Sequence, residues 1–129
     1  MTTRGNIAKW IGICVWVLLL SGGSAWAQQD AETARRYAAE KKYDEAIGIF
    51  AELYKTIPDS VYHDYLNTLL EASKFKQAEK LVEKKVAMYP RGIRSPEMNL
   101  ELGQVYDKAG KPEKSKVQYD SVINMLNGD

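Results

Sequence analysis

The chain has 129 residues, enough for one modest domain. Lys plus Arg number 18 against 17 Asp plus Glu, so a nucleic-acid binder, which neutralises phosphates with clustered Lys and Arg, is disfavoured from the outset. The composition is ordinary for a folded helical protein, but it averages over two very different segments.

Residues 1–27 read as an export signal. Arg4 and Lys9 supply the positive start, the run from Trp10 to Leu20 is apolar, and the small-residue stretch from Ser21 to Ala27 follows. Ala25-x-Ala27 fits the small-x-small pattern of signal-peptidase cleavage, with the cut before Gln28. A bilayer span needs about 20 apolar residues, and Gly22 and Gly23 break this run soon after Leu20. Cys14, the sole cysteine, lacks the preceding leucine and adjacent small residue of a lipoprotein-type signal. Cleavage before Gln28 therefore leaves a nearly neutral chain without a thiol, which excludes disulfides and thiol catalysis.

Residues 28–129 carry three segments of helical period, each broken by a tight turn. The first has Ala34, Tyr37 and Ala38, then Lys42-Tyr43-Asp44-Glu45-Ala46-Ile47, Phe50, Tyr54 and Pro58. The second has Tyr65, Leu66 and Leu69, then Lys74-Phe75-Lys76-Gln77-Ala78-Glu79, Leu81, Val82, Val86 and Pro90. The third has Leu102, Val105 and Tyr106, then Lys111-Pro112-Glu113-Lys114-Ser115-Lys116, Tyr119, Val122, Ile123 and Leu126. Apolar residues three and four apart predict amphipathic helices on both sides of each turn. The small residues Ala46, Ala78 and Ser115 allow the two helices of a hairpin to approach closely. Pro58 and Pro90 are expected to stop the second helix of their units, because proline cannot donate the next backbone hydrogen bond. Asp59-Ser60 and Ser95-Pro96-Glu97 then offer N-cap chemistry to the helices that follow.

At these residues the chain resembles the tetratricopeptide repeat family. The third copy matches best, with Leu102-Gly103-x-x-Tyr106, Gly110, Ser115, Tyr119 and Ile123. The resemblance covers residues 29–126 and implies units of about 29–58, 59–92 and 95–127. The implied fold is all-α: three stacked antiparallel helical hairpins, a TPR-like α-solenoid, after an N-terminal signal helix. The spacing departs from the ideal of about 34 residues: Ala46 to Ala78 is 32, and Ala78 to Ser115 is 37. The excess falls in Pro90-Arg91-Gly92-Ile93-Arg94-Ser95-Pro96.

No catalytic or metal constellation emerges, so the expectation is a protein with no enzymatic activity, no cofactor and no metal. His63 is the sole histidine, which rules out a His pair for zinc or a relay. The glycines form no phosphate-cradling loop. Asp44-Glu45 and the pair Glu97 and Glu101 suit a helix start and a solvated face. Glu79-Lys80 and Glu83-Lys84-Lys85 suit pairing along a helix surface. Most tyrosines align with packing positions, leaving Tyr62 and Tyr89 as candidate interface anchors.

The resemblance implies that the first helix of each unit lines a groove for a protein or peptide. Carried over on the small residue, that groove presents Arg35 and Ala39, then His63, Asn67 and Leu70, then Leu100, Gln104, Asp107 and Lys108. A subclass that grips the carboxylate end of chaperone tails is not supported, since only Asn67 matches its pattern; the other positions hold Ala31, Arg35, Leu100 and Gln104. An imidazole titrates near neutrality, so His63 gives the groove a route to pH sensitivity.

The expectation is thus a non-enzymatic interaction module in the periplasm of a bacterium with an outer membrane, with no membrane contact after signal cleavage. Two alternatives stay open. The chain is the N-terminal portion of a longer array or a subunit of an envelope complex, contacting or self-associating through Met125 and Leu126 at the end of the third hairpin. Otherwise it is an adaptor tethered to the inner membrane by an uncleaved signal.

Overall fold

The computed structural model describes residues 25–128. Among them the chain forms six α-helices and one 3-10 turn, with no strand. We number them α1 (residues 25–39), α2 (Tyr43–Tyr54), α3 (Pro58–Glu71), α4 (Phe75–Ala87), α5 (Pro96–Lys108) and α6 (Pro112–Asn127), with the 3-10 turn at Arg91–Ile93. None of the described helices is long and apolar enough to cross a membrane. Arg4, Lys9, the apolar run and Cys14 lie outside the described residues. Ala25, Ala27 and Gln28 stand at the start of α1, which is helical across the expected Ala27–Gln28 junction.

Three turns are built alike. Between α1 and α2, Lys41 is left-handed (φ 61°), and Lys42 N–H returns to the Tyr37 carbonyl at 2.8 Å. Between α3 and α4, Ser73 takes that role (φ 58°), with Lys74 N–H on Leu69 O at 2.8 Å. Between α5 and α6 it falls to Gly110 (φ 74°), with Lys111 N–H on Tyr106 O at 2.9 Å. Each is the closure of a helix C-terminus by one left-handed residue, which satisfies carbonyls the helix would otherwise leave open. The lysine after it then accepts, through its own carbonyl, the first bond of the next helix, from Ala46, Ala78 and Ser115 respectively. Those three small residues are buried. The sequence repeat is therefore a repeat of backbone geometry.

The contacts divide the chain after Val61. In the first unit the buried apolar residues are Ala31, Ala34, Ala46, Phe50, Leu53 and Val61, with Phe50 wholly enclosed. In the second, α5 packs along α6 and against α4. Its core holds Leu66, Leu69, Ala78, Leu81, Val82, Val86, Leu102, Val105 and Tyr106. At Gly103 an added Cβ would lie 2.6 Å from Tyr119 Cε1, so the α5–α6 contact requires glycine there.

The prolines act differently from expectation. α2 ends at Tyr54, where Thr56 and Ile57 N–H groups turn back onto the Leu53 carbonyl. Pro58 opens α3 instead of closing α2. A proline suits the first helical position, since its fixed φ is helical and its missing N–H would have had no intrahelical partner. Asp59 consequently falls in the first turn of α3, one step inside the expected cap. Likewise α4 ends at Ala87, and Pro90 precedes the 3-10 turn. Ser95 does occupy the N-cap of α5 with extended backbone, yet its side chain makes no cap bond. Its hydroxyl serves the Glu97 carboxylate; with the Glu97 backbone N–H as the larger contributor, the two hold that carboxyl below its usual range.

Candidate functional site

The second unit places His63, Asn67 and Leu70 along one stripe of α3, four and three residues apart. His63 and Asn67 are exposed and Leu70 is half-buried. On α5 the stripe is Leu100, Gln104, Asp107 and Lys108, all exposed. The spacing of each set matches the helical repeat, so each presents a single face. In the first unit Arg35 borders a hollow of about 510 Å³ with Gln28, Glu32, Ile57 and Ser60, and its guanidinium stands 3.8 Å from Glu32. Ala39 is exposed near the end of α1.

Glu101 joins the α3 and α5 stripes. Its carboxylate accepts the Tyr62 hydroxyl at 2.5 Å and lies 3.9 Å from both His63 Nδ1 and Lys85 Nζ. Lys85 Nζ in turn sits 3.7 Å from the centre of the Tyr62 ring, within cation–π range. One carboxylate thus ties α3, α4 and α5 together, half-screened from solvent and beside the exposed His63 imidazole. This corrects two expectations. Tyr62 is not a surface anchor, since it is buried with its hydroxyl committed inward. Glu101 is not a solvated partner of Glu97, because α5 turns it onto α3 and α4 while Glu97 stays exposed.

The acids of α4 behave the same way. Glu79 is buried and receives Lys111 Nζ at 2.7 Å. Glu83 receives the Tyr106 hydroxyl at 2.6 Å, while Lys114 Nζ stands 5.3 Å over the same ring. Burial first, then the Glu83 hydrogen bond and the charges of Glu83 and Glu79, push the Tyr106 phenol well above its ordinary range. The expected pairing along the surface of α4 gives way to bonds directed at the next hairpin, since charged hydrogen bonds are stronger where they are partly shielded from water. Tyr89, the other candidate anchor, is partly exposed.

The α3 and α5 faces offer amide donors and acceptors at Asn67 and Gln104, one charge of each sign at Asp107 and Lys108, an imidazole, and two leucines. Such a surface can offer both hydrogen bonds and apolar contact. Among the described residues no cluster of three or more His, Cys, Asp or Glu is placed to hold a metal ion. Comparison with family models and with curated proteins returns no match.

The end of the third hairpin leaves Ile123 and Leu126, three residues apart on α6, 54% and 72% exposed. Met125 is half-buried, its sulfur 3.5 Å from the Asn99 amide nitrogen, so it contributes less to that edge than expected.

Proposed function

We propose that the chain is a tetratricopeptide-like array of three helical hairpins that is exported to the bacterial periplasm, binds a protein or peptide, and performs no chemistry of its own. The observation that carries this reading is the threefold turn: a left-handed residue, a closing bond from a lysine N–H, and a buried small residue early in the following helix. Repetition of a supersecondary unit is the device by which solenoids present a preformed surface. The proposed surface in the second unit is the exposed face of α3 and α5; Arg35 and Ala39 of α1 are the candidates of the first unit. A preformed helical face carries little ordering cost on binding, which suits an extended or helical peptide.

The test is affinity capture from envelope extract with the native chain and with a variant carrying Arg35→Ala, Asn67→Ala and Gln104→Ala. A partner held by the native chain and released by the variant, at equal helical content, supports groove binding. Retention by the variant rejects these residues as the binding surface. The intact mass of the recovered protein separates the cleaved form, starting at Gln28, from a tethered one.

The exposure of Ile123 and Leu126 favours a second reading, in which the end of the third hairpin meets another repeat or a second copy. Self-association that persists in Ile123→Glu with Leu126→Glu would remove it.

A further inference from the structure

The segment between α4 and α5 carries more than a connection requires. From Lys84 to Pro96 the chain has four cations (Lys84, Lys85, Arg91, Arg94) and no carboxylate. Interleaved with them are exposed apolar side chains: Met88 at 72%, Ile93 at 67% and Tyr89 at 38%. The segment has fixed shape, because the 3-10 turn closes Ile93 N–H on Pro90 O at 3.0 Å and Arg94 Nε donates to Tyr89 O at 2.8 Å. Arg91 and Arg94 border a cavity of about 270 Å³ whose other walls are Asn99, Val117, Gln118, Ser121 and Met125. No acid lines it. Asn99 is buried, and its amide nitrogen reaches only Ser121 Oγ at 3.4 Å and Met125 Sδ at 3.5 Å. The contact to Ser121 is long for an oxygen acceptor, and the Met125 thioether is a weak acceptor, so a better acceptor in the cavity would take those donors.

We propose that this segment docks on a bilayer bearing anionic phospholipid, with a headgroup phosphate in the cavity and Met88, Tyr89 and Ile93 entering the interface. Two guanidiniums, an amide and a hydroxyl match the oxygens of a phosphodiester, which guanidinium forks bind in a paired geometry. Basic residues beside aromatic and aliphatic ones are the composition of interfacial anchoring, in which cations meet the negative surface and apolar side chains enter the headgroup boundary. A cavity of about 270 Å³ admits a phosphate headgroup, and the apolar residues beside it have no role in holding a free ion. The nearest acid in sequence, Glu97, is occupied by Ser95 and its own backbone N–H. The proposal is independent of the reading of the α3 and α5 faces, and it departs from the expectation that only the leader meets a membrane.

The test labels the full chain with an environment-sensitive fluorophore at Gly92→Cys in a Cys14→Ser background. An added Cβ at Gly92 meets no atom within 4 Å, so the label leaves the segment intact. The label reports on the segment itself, whatever the leader does. Vesicles of phosphatidylglycerol with phosphatidylcholine should shift its emission to the blue, and phosphatidylcholine vesicles should shift it several-fold less. Arg91→Gln with Arg94→Gln should bring the anionic response down to the phosphatidylcholine level. Arg91→Gln alone, on an exposed side chain, should lower it if the double variant unfolds. Equal emission with and without anionic vesicles overturns the proposal, as does a response unchanged in the arginine variants. Glycerol phosphate alone reproducing the shift also overturns it, leaving a soluble oxyanion site in its place.

Discussion

Gly103 is where the closest packing in the third hairpin can be tested by adding one methyl group. In Gly103→Ala the new Cβ would stand 2.6 Å and 2.9 Å from Cε1 and Cδ1 of Tyr119, and 3.3 Å from Gln118 Cβ. Carbon atoms prefer about 3.5–4.0 Å, so the Tyr119 ring must swing or α6 must move. Gln118 Cβ is fixed to the α6 backbone, which limits relief by rotation of the ring alone. Overpacking of this kind costs about 1–3 kcal/mol, while alanine in place of a mid-helix glycine returns about 0.8–1.0 kcal/mol of helix propensity. The expected net loss is about 0–2 kcal/mol, with a Tm fall of roughly 4–8 °C per kcal/mol for a domain of this size. Thermal and urea denaturation followed by circular dichroism give the value. In a Tyr119→Ala background the same methyl should cost nothing or stabilise, since the ring is gone and the propensity gain remains. Equal destabilisation in both backgrounds would refute the assignment of the clash to Tyr119, and a stabilised single variant would refute the close approach itself.

The three turns make a paired prediction. Ser73→Gly should stabilise by about 1 kcal/mol, because an L side chain at left-handed φ costs about 1–2 kcal/mol, and Gly110→Ala should lose a similar amount; urea midpoints at unchanged slope measure both. The Tyr106 phenol is raised above its ordinary value of 10.0 in the folded state. Above that pH the unfolded chain releases a proton the folded chain keeps, so stability is level below pH 10 and falls as pH rises further; Tyr106→Phe should lack that share of the alkaline decline. At α5, Glu97 is held below its usual range partly by the Ser95 hydroxyl. Ser95→Ala should raise the Glu97 pKa in an NMR titration, and the stability this carboxylate contributes above its unfolded value, which is lost as pH falls toward the folded one, should shrink.

The hairpins were legible because their determinants are local. A helical period, a small residue at a fixed offset and a turn lysine sit within a few residues of one another, and the structure places Ala46, Ala78 and Ser115 identically. The bonds between helices were not legible for the opposite reason. Glu79 and Glu83 each sit three residues after a lysine of their own helix and Glu101 sits at the spacing of a solvated face, and only the packing of α4 and α5 decides that they reach Lys111, Tyr106 and Tyr62 instead. Tyr62 illustrates the consequence. Read by spacing it is unconstrained, yet one residue along α3 separates it, buried, from exposed His63. Pro58 was misplaced because a proline four residues past the end of one helix serves equally as the first residue of the next.

The irregular spacing has a simple origin, and it yields the remaining prediction. α2 and α4 differ in length by one residue, as do α3 and α5. The links between hairpins differ far more: residues 55–57 join α2 to α3, whereas residues 88–95 join α4 to α5. The interval of 37 residues against 32 therefore reflects an added surface segment, not a distorted helix. Replacing residues 88–95 by the sequence Lys-Thr-Ile found at 55–57 would set isoleucine before Pro96, as Ile57 stands before Pro58. Closing a shorter loop is favourable by about 0.9 kcal/mol, from the logarithmic dependence on length, and the α4–α5 core is untouched. The exchanged protein should keep its helical content and cooperative unfolding, with a stability near or slightly above the native value. Loss of cooperative unfolding would show instead that the long link sets how α4 meets α5. If the hairpins survive, the cations and apolar side chains of this segment are free of any structural duty within the fold.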